Sequence, residues 1–206
     1  MLNGNNYMVL QPMYPLLIQQ FVDDYKLMDG VALDIGVGPG WLGMELAKIT
    51  DMKIVFLDIS LVSLHEARSN FEMLEVDNAA SFIQADVHDI PLDDNYADFI
   101  MSRGSIWFWE KPEKGLQEIY RILKPGGVAI VGGGLGRYLP LSMRSRMQVV
   151  LQRGLAKRME SRPDLHTFQS IVEKAHLPAF EIRTDGDTGT GRWVEIRKPQ
   201  GEKERL

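Results

Sequence analysis

The sequence predicts an α/β chain: a doubly wound, mostly parallel seven-stranded sheet that ends in an antiparallel C-terminal hairpin. Three observations predict it. Short apolar runs alternate with stretches whose apolar residues recur every three or four positions, as strands alternating with helices do. Three of the runs end in an acid, at Asp34, Asp58 and Asp86. The last two strand-like segments, 180–184 and 192–198, are joined by a Gly/Asp/Thr turn and read as a hairpin.

The chain in order supports this. Residues 1–13 are polar, Asn-rich and then proline-punctuated, and are expected to be loose or to form a flap. Leu17, Ile18, Phe21, Val22 and Tyr25 give a helix over 14–27, so residues 1–30 read as a helical cover. Tyr7, Tyr14 and the Pro12–Pro15 pair either close over a ligand or simply pack. The first strand is 31–35 and the helix after it 41–49. The second strand, 53–58, is continuously apolar, as a parallel strand covered on both faces should be. Ser60 suits the N-cap of the next helix. Strands follow over 81–86, 97–102 and 128–131, with Pro112 opening a helix between the last two and a turn at 124–127. A final helix is expected over 167–175.

Composition excludes several classes. With no cysteine among 206 residues there are no disulfides, thiolate metal sites or cysteine nucleophiles. The four histidines are scattered without metal-ligand spacing, so no metal is expected. A net charge of −5 argues against a surface that wraps nucleic acid. No stretch is long and apolar enough to span a membrane, and the N-terminus lacks a signal-peptide pattern, so a cytoplasmic location is expected. One domain over 1–206 accounts for the length.

The chain is organised around Val31-Ala32-Leu33-Asp34-Ile35-Gly36-Val37-Gly38-Pro39-Gly40. A strand ends in acid, three glycines follow at alternate positions, and Trp41 opens a helix. Glycines let the backbone approach a bound molecule, and the helix start offers N–H donors. Gly38, Gly40 and Gly43 match the dinucleotide fingerprint; Asp34, Gly36, Gly38 and Gly40 match the S-adenosyl-L-methionine (SAM) loop. Asp58, twenty residues beyond Gly38, suits ribose hydroxyls in either reading. The third acid, Asp86, and the closing hairpin favour the second, since a dinucleotide site needs neither.

The sequence resembles the class I SAM-dependent methyltransferases, a Rossmann-like group, within their small-molecule "type 11" branch. The resemblance runs from 31 to 131 and rests on four ordered stretches: Asp34–Gly40, Leu57-Asp58-Ile59-Ser60, Ala85–Leu92 and Tyr120–Gly127. It implies that Gly36, Gly38 and Gly40 face the methionine part of SAM, with Asp34 ordering the loop or the amino group. Asp58 would accept the ribose hydroxyls and Asp86 the adenine amino group. Val87 would present its N–H to the ring, Ile59 and Leu64 would sandwich the adenine, and Ser102 would lie beside the cofactor.

It also implies transfer of the methyl group to a small-molecule acceptor, anionic if the basic segment faces it, by in-line displacement. His88 and Glu110 are weak candidates for a general base, and both have bland alternatives. Tyr14, Arg103, Trp107, Trp109 and Arg137 are candidate acceptor contacts. Ser102-Arg103-Gly104-Ser105 stands where enzymes that methylate exocyclic amines usually carry Asn/Asp-Pro-Pro-Tyr.

Residues 132–165 form a basic insertion, and over 132–162 Arg137, Arg144, Arg146, Arg153, Lys157, Arg158 and Arg162 meet one acid, Glu160. These charges either cover the acceptor side, lie on a solvated helix face, or meet acids of a second subunit in a homodimer. Two other function classes remain open on sequence alone. One is a SAM-binding regulatory or partner-activating protein without turnover, and the other an RNA or protein methyltransferase.

Overall fold

A computed structural model describes residues 10–154, 163–186 and 191–201. The expected elements are present. Helix α1 (Met13–Tyr25) precedes β1 (Val31–Ile35), α2 (Trp41–Ala47), β2 (Lys53–Asp58), α3 (Leu61–Glu72) and β3 (Ala80–Gln84). After β4 (Ala97–Arg103) comes a 3₁₀ turn over Ile106–Phe108, then α4 (Pro112–Ile122) and β5 (Leu123–Gly133). The insertion forms α5 (Leu141–Gly154), and α6 (Leu165–Glu173), β6 (Phe180–Arg183) and β7 (Arg192–Arg197) close the chain. Tyr7, Lys157, Arg158, Glu160 and Arg162 lie outside the described residues, and the Arg153 side chain is likewise not described.

The seven strands form one sheet in the order β3-β2-β1-β4-β5-β7-β6. The first five run parallel, and β7 pairs antiparallel with both β5 and β6. Chain order reverses between β1 and β4, so the loops leaving these neighbours diverge and open a crevice at their carboxyl ends. Strand residues alternate between two cores, as the pleat requires. Ala32, Phe56, Phe99 and Met101 pack under α1, α2 and α3, while Leu33, Leu57, Ile100 and Val131 pack under α4 and α6.

Two local expectations need correction. Strand β3 stops at Gln84, opposite Asp58, so Asp86 lies two residues beyond the ladder in a loop. The turn expected at 124–127 is an irregularity inside β5: pairing jumps from Ala97–Leu123 to Phe99–Val128, with Gly126 at φ +85°.

Candidate active site

The glycine turn is held open from both sides. Gly36, Gly38 and Gly40 have φ of +70°, +52° and +84°, a region that side chains rarely adopt. A Cβ on Gly36 would lie 2.4 Å from the Cβ of Ser105, in the loop after β4. That loop is fixed in turn by Ser102, whose buried hydroxyl donates to the Ile35 carbonyl at 2.9 Å and lies 2.5 Å from the Ser105 hydroxyl. Ser102 therefore ties the two loops together through its hydroxyl. Ser105 was not singled out by sequence, since nothing local marks its approach to Gly36.

Asp34 is buried beneath the turn, and its Oδ2 accepts the Gly43 N–H at 3.0 Å. Gly40, the N-cap residue of α2, has no side chain to do this, so the strand-end acid caps the helix. Burial raises the Asp34 carboxyl to about 7; the Gly43 hydrogen bond opposes the shift and the Asp58 charge adds to it. Of the two roles expected for Asp34, the structure provides the ordering of the loop.

Asp58 closes the turn from the second strand. Its Oδ2 accepts from the Gly38 N–H at 3.3 Å and its Oδ1 from the Ser60 N–H at 2.9 Å. A carboxylate has about four lone-pair sites, so both oxygens keep capacity for a ribose. Ile59 beside it is 67% exposed, available as a flat apolar contact, but Leu64 is 4% exposed and belongs to the core. The expected pair of adenine walls is thus reduced to one.

The third acid sits on a separately anchored loop. Arg121 holds that loop from below through the carbonyls of Ile90 and Leu92, and Glu118 accepts the Ile90 N–H. Asp86 itself is half-exposed; its Oδ1 accepts from the His88 N–H and contacts His88 Nδ1. The backbone hydrogen bond from His88 holds the Asp86 carboxyl below its ordinary range. Oδ2 makes no hydrogen bond among the described residues. The other His88 nitrogen, Nε2, accepts the Lys111 N–H at 3.2 Å. With both ring nitrogens engaged, His88 ties two loops together and is not placed as a general base. Glu110 is exposed. Val87 is buried against α4 and Trp109 by its side chain, leaving the backbone to face outward contacts.

On the acceptor side, the candidates separate. Tyr14 is buried, edge-on to Trp41 at 5.3 Å, and the Arg103 guanidinium lies 5.4 Å from its ring centre. Trp107 packs on Phe168 at 5.4 Å, and a Cβ on Gly115 would meet the Trp109 ring at 2.8 Å. The two tryptophans are packing residues under α6 and α4, not an open wall; Phe108 between them is the exposed ring. Arg137 is turned to α1, where both its terminal nitrogens bond to Asp24. Among the described residues no cluster of three or more groups could hold a metal ion.

The comparisons agree with this geometry. A methyltransferase-domain family matches residues 33–131. A solved protein of Methanococcus maripaludis, described as a candidate SAM-dependent methyltransferase, superposes with a TM-score of 0.81 at 33% identity. The match covers 94% of this chain and 89% of that one. The chain belongs to the SAM-dependent methyltransferases.

Among other relatives of this methyltransferase is the chloroplastic 2-methyl-6-phytyl-1,4-hydroquinone methyltransferase of Spinacia oleracea, 35% identical over 104 residues. That match covers 50% of this chain and 29% of the relative, so the chain spans less than a third of the plant protein's length. The demethylmenaquinone methyltransferase of Clavibacter sepedonicus is 28% identical over 187 residues, covering 82% of this chain and 74% of that protein. Membership also settles the glycine fingerprint. Gly43 is small for helix–strand packing, since a Cβ there would lie 2.4 Å from the Phe56 ring.

Proposed function

We propose that the protein transfers the methyl group of SAM to a small-molecule acceptor by in-line displacement. The observation that carries this reading is the convergence at the β1–β4 switch point. The positive-φ turn, the Asp58 carboxylate beside Gly38, and the Ser102–Ser105 loop against Gly36 meet there. When bound, SAM supplies an already activated methyl on its sulfonium, so the protein has to align reactants and exclude water.

The residues divide that work. Asp58 suits the ribose, Asp86 the adenine amino group, and the turn's backbone the methionyl part. Tyr14 and Arg103 stand at the carboxyl end of β4, where the acceptor would enter. A base is needed only where the acceptor arrives protonated. Relatives that act on a hydroquinone and on demethylmenaquinone favour a small organic acceptor over RNA or protein.

Calorimetry with S-adenosylhomocysteine (SAH), followed by SAH release from SAM over an acceptor panel, tests the proposal. Binding with turnover supports it. Binding without turnover over quinols, phenols, amines and acids would favour a SAM-binding protein that does not catalyse.

A further inference from the structure

Arg103 lies half-buried at the last position of β4, paired through its backbone with Gly132. Its side chain is aimed by three contacts. Nε donates to the Gly134 carbonyl at 3.0 Å, Nη1 lies 3.5 Å from the Tyr14 hydroxyl, and the guanidinium rests over the Tyr14 ring. Two residues on, Ser105 runs directly against Gly36. The guanidinium is therefore fixed at the carboxyl end of β4, between α1 and the strap that follows β5.

Several other arginines of the C-terminal half are matched by carboxylates. Arg137 pairs with Asp24, Arg144 lies 3.5 Å from Asp185, and Arg183 and Arg197 flank the buried Glu195. Arg103 has no carboxylate partner among the described residues, and its Nη2 makes no hydrogen bond there. Arg144 strengthens the contrast. It is 5% exposed, donates to the Gly136 carbonyl two residues beyond Gly134, and leaves its Nε without a hydrogen-bond partner. Two guanidiniums thus grip alternate carbonyls of one glycine-rich strap, with the buried acid Asp185 beside one of them. A cation withdrawn from water without a counter-charge is costly, and its complement is an anion. Guanidinium is suited to an oxyanion, which it meets with parallel donors.

We propose that Arg103 is an anion-binding, specificity-determining residue of the acceptor site, taking a carboxylate or phosphate carried by the acceptor. This rests on the methyltransferase reading above. Arg144 and Asp185 position the strap from behind, since Asp185 also accepts the Leu135 N–H and the Trp193 indole N–H.

The test uses the SAH-saturated full chain and a matched pair of probes, benzoate and neutral benzamide, titrated at fixed ionic strength. Wild type should prefer benzoate by about 10-fold or more, the size of a charge-assisted hydrogen bond. R103Q should lose the preference and R103K should keep part of it, with thermal melts confirming that both fold. Equal binding of the two probes by wild type overturns the proposal without needing a variant, as does a preference that survives in R103Q. A second arm measures SAH and 5′-methylthioadenosine, which lacks the amino-acid carboxylate. Both should bind R103Q as they bind wild type. If R103Q weakens SAH alone, Arg103 serves the cofactor's carboxylate and the acceptor assignment falls. Failure of wild type to bind SAH at all would instead refute the methyltransferase reading.

Discussion

Asp34 caps helix α2 from the end of the preceding strand: its Oδ2 accepts the Gly43 N–H at 3.0 Å while Gly40, at the N-cap, has no side chain to offer. The glycine that frees the turn for a ligand thereby removes the usual helix cap, and a carboxylate six residues earlier replaces it. The two requirements explain why acid and glycines occur together.

That buried position makes Asp34 a determinant of pH-dependent stability. The folded carboxyl holds its proton up to about 7, whereas the unfolded one releases it near 3.8. Between those values the unfolded state binds fewer protons, so stability falls as pH rises through the window and levels off above it. The full effect is on the order of 4 kcal/mol. D34N keeps an oxygen for Gly43 and cannot ionise. Urea titrations between about pH 4 and pH 8 should therefore show a flatter profile in the variant. An identical slope in both proteins would show that the carboxyl does not hold its proton.

Gly43 tests whether the fingerprint glycine serves packing or the cofactor. A methyl there meets Phe56 at 2.4 Å and 2.7 Å and Ile54 at 2.9 Å, all in the core. Overpacking of this kind costs about 1–3 kcal/mol. G43A should lower the unfolding midpoint while leaving SAH affinity, measured well below that midpoint, close to wild type. A selective loss of SAH binding with no loss of stability would return Gly43 to the ligand.

Asp58 carries the opposite prediction. D58A removes an acceptor from Gly38 and Ser60 and a charged acceptor from the ribose. The ligand should lose about 1.5–3 kcal/mol, or about 10- to 150-fold in affinity. Circular dichroism should report a folded chain, because Asp58 lies at the crevice and outside both cores. SAH affinity unchanged in D58A would reduce Asp58 to a turn residue.

How much of this was legible in sequence depends on distance along the chain. The strand-turn-helix at 31–47, the acid twenty residues on and the hairpin are local patterns, and periodicity and turn chemistry specify them. The burial of Leu64 and the packing of Trp107 on Phe168 depend on which face tertiary contacts cover, and an aromatic run reads the same either way. His88 reads from sequence either as a base or as a residue that holds the Asp86 loop, because its two partners, Asp86 and the Lys111 backbone, cannot be paired from spacing; the contacts fit the second. The basic run left three readings open for the same reason: Arg137 and Arg144 find acids on α1 and next to β6, far away in sequence.

Arg137 makes that last point testable. Its guanidinium meets Asp24 across 113 residues of chain, its backbone N–H donates to Gln20 at 2.7 Å, and neighbouring Tyr138 donates to Asp23 at 2.9 Å. These contacts join the post-β5 strap to α1, and with it to Tyr14 on the same helix. The pair is partly exposed, at 43% and 24% for the two side chains, so solvent screens it and the contribution should stay below about 1 kcal/mol. R137Q and D24N should each shift stability only slightly, and together by less than the sum of the two, as a coupled pair does. Neither should alter SAH affinity or the acceptor KM, because the guanidinium is turned to Asp24. A raised acceptor KM in R137Q but not in D24N would place Arg137 on the substrate after all. Equal changes in both would show instead that the latch holds α1 and Tyr14 over the site.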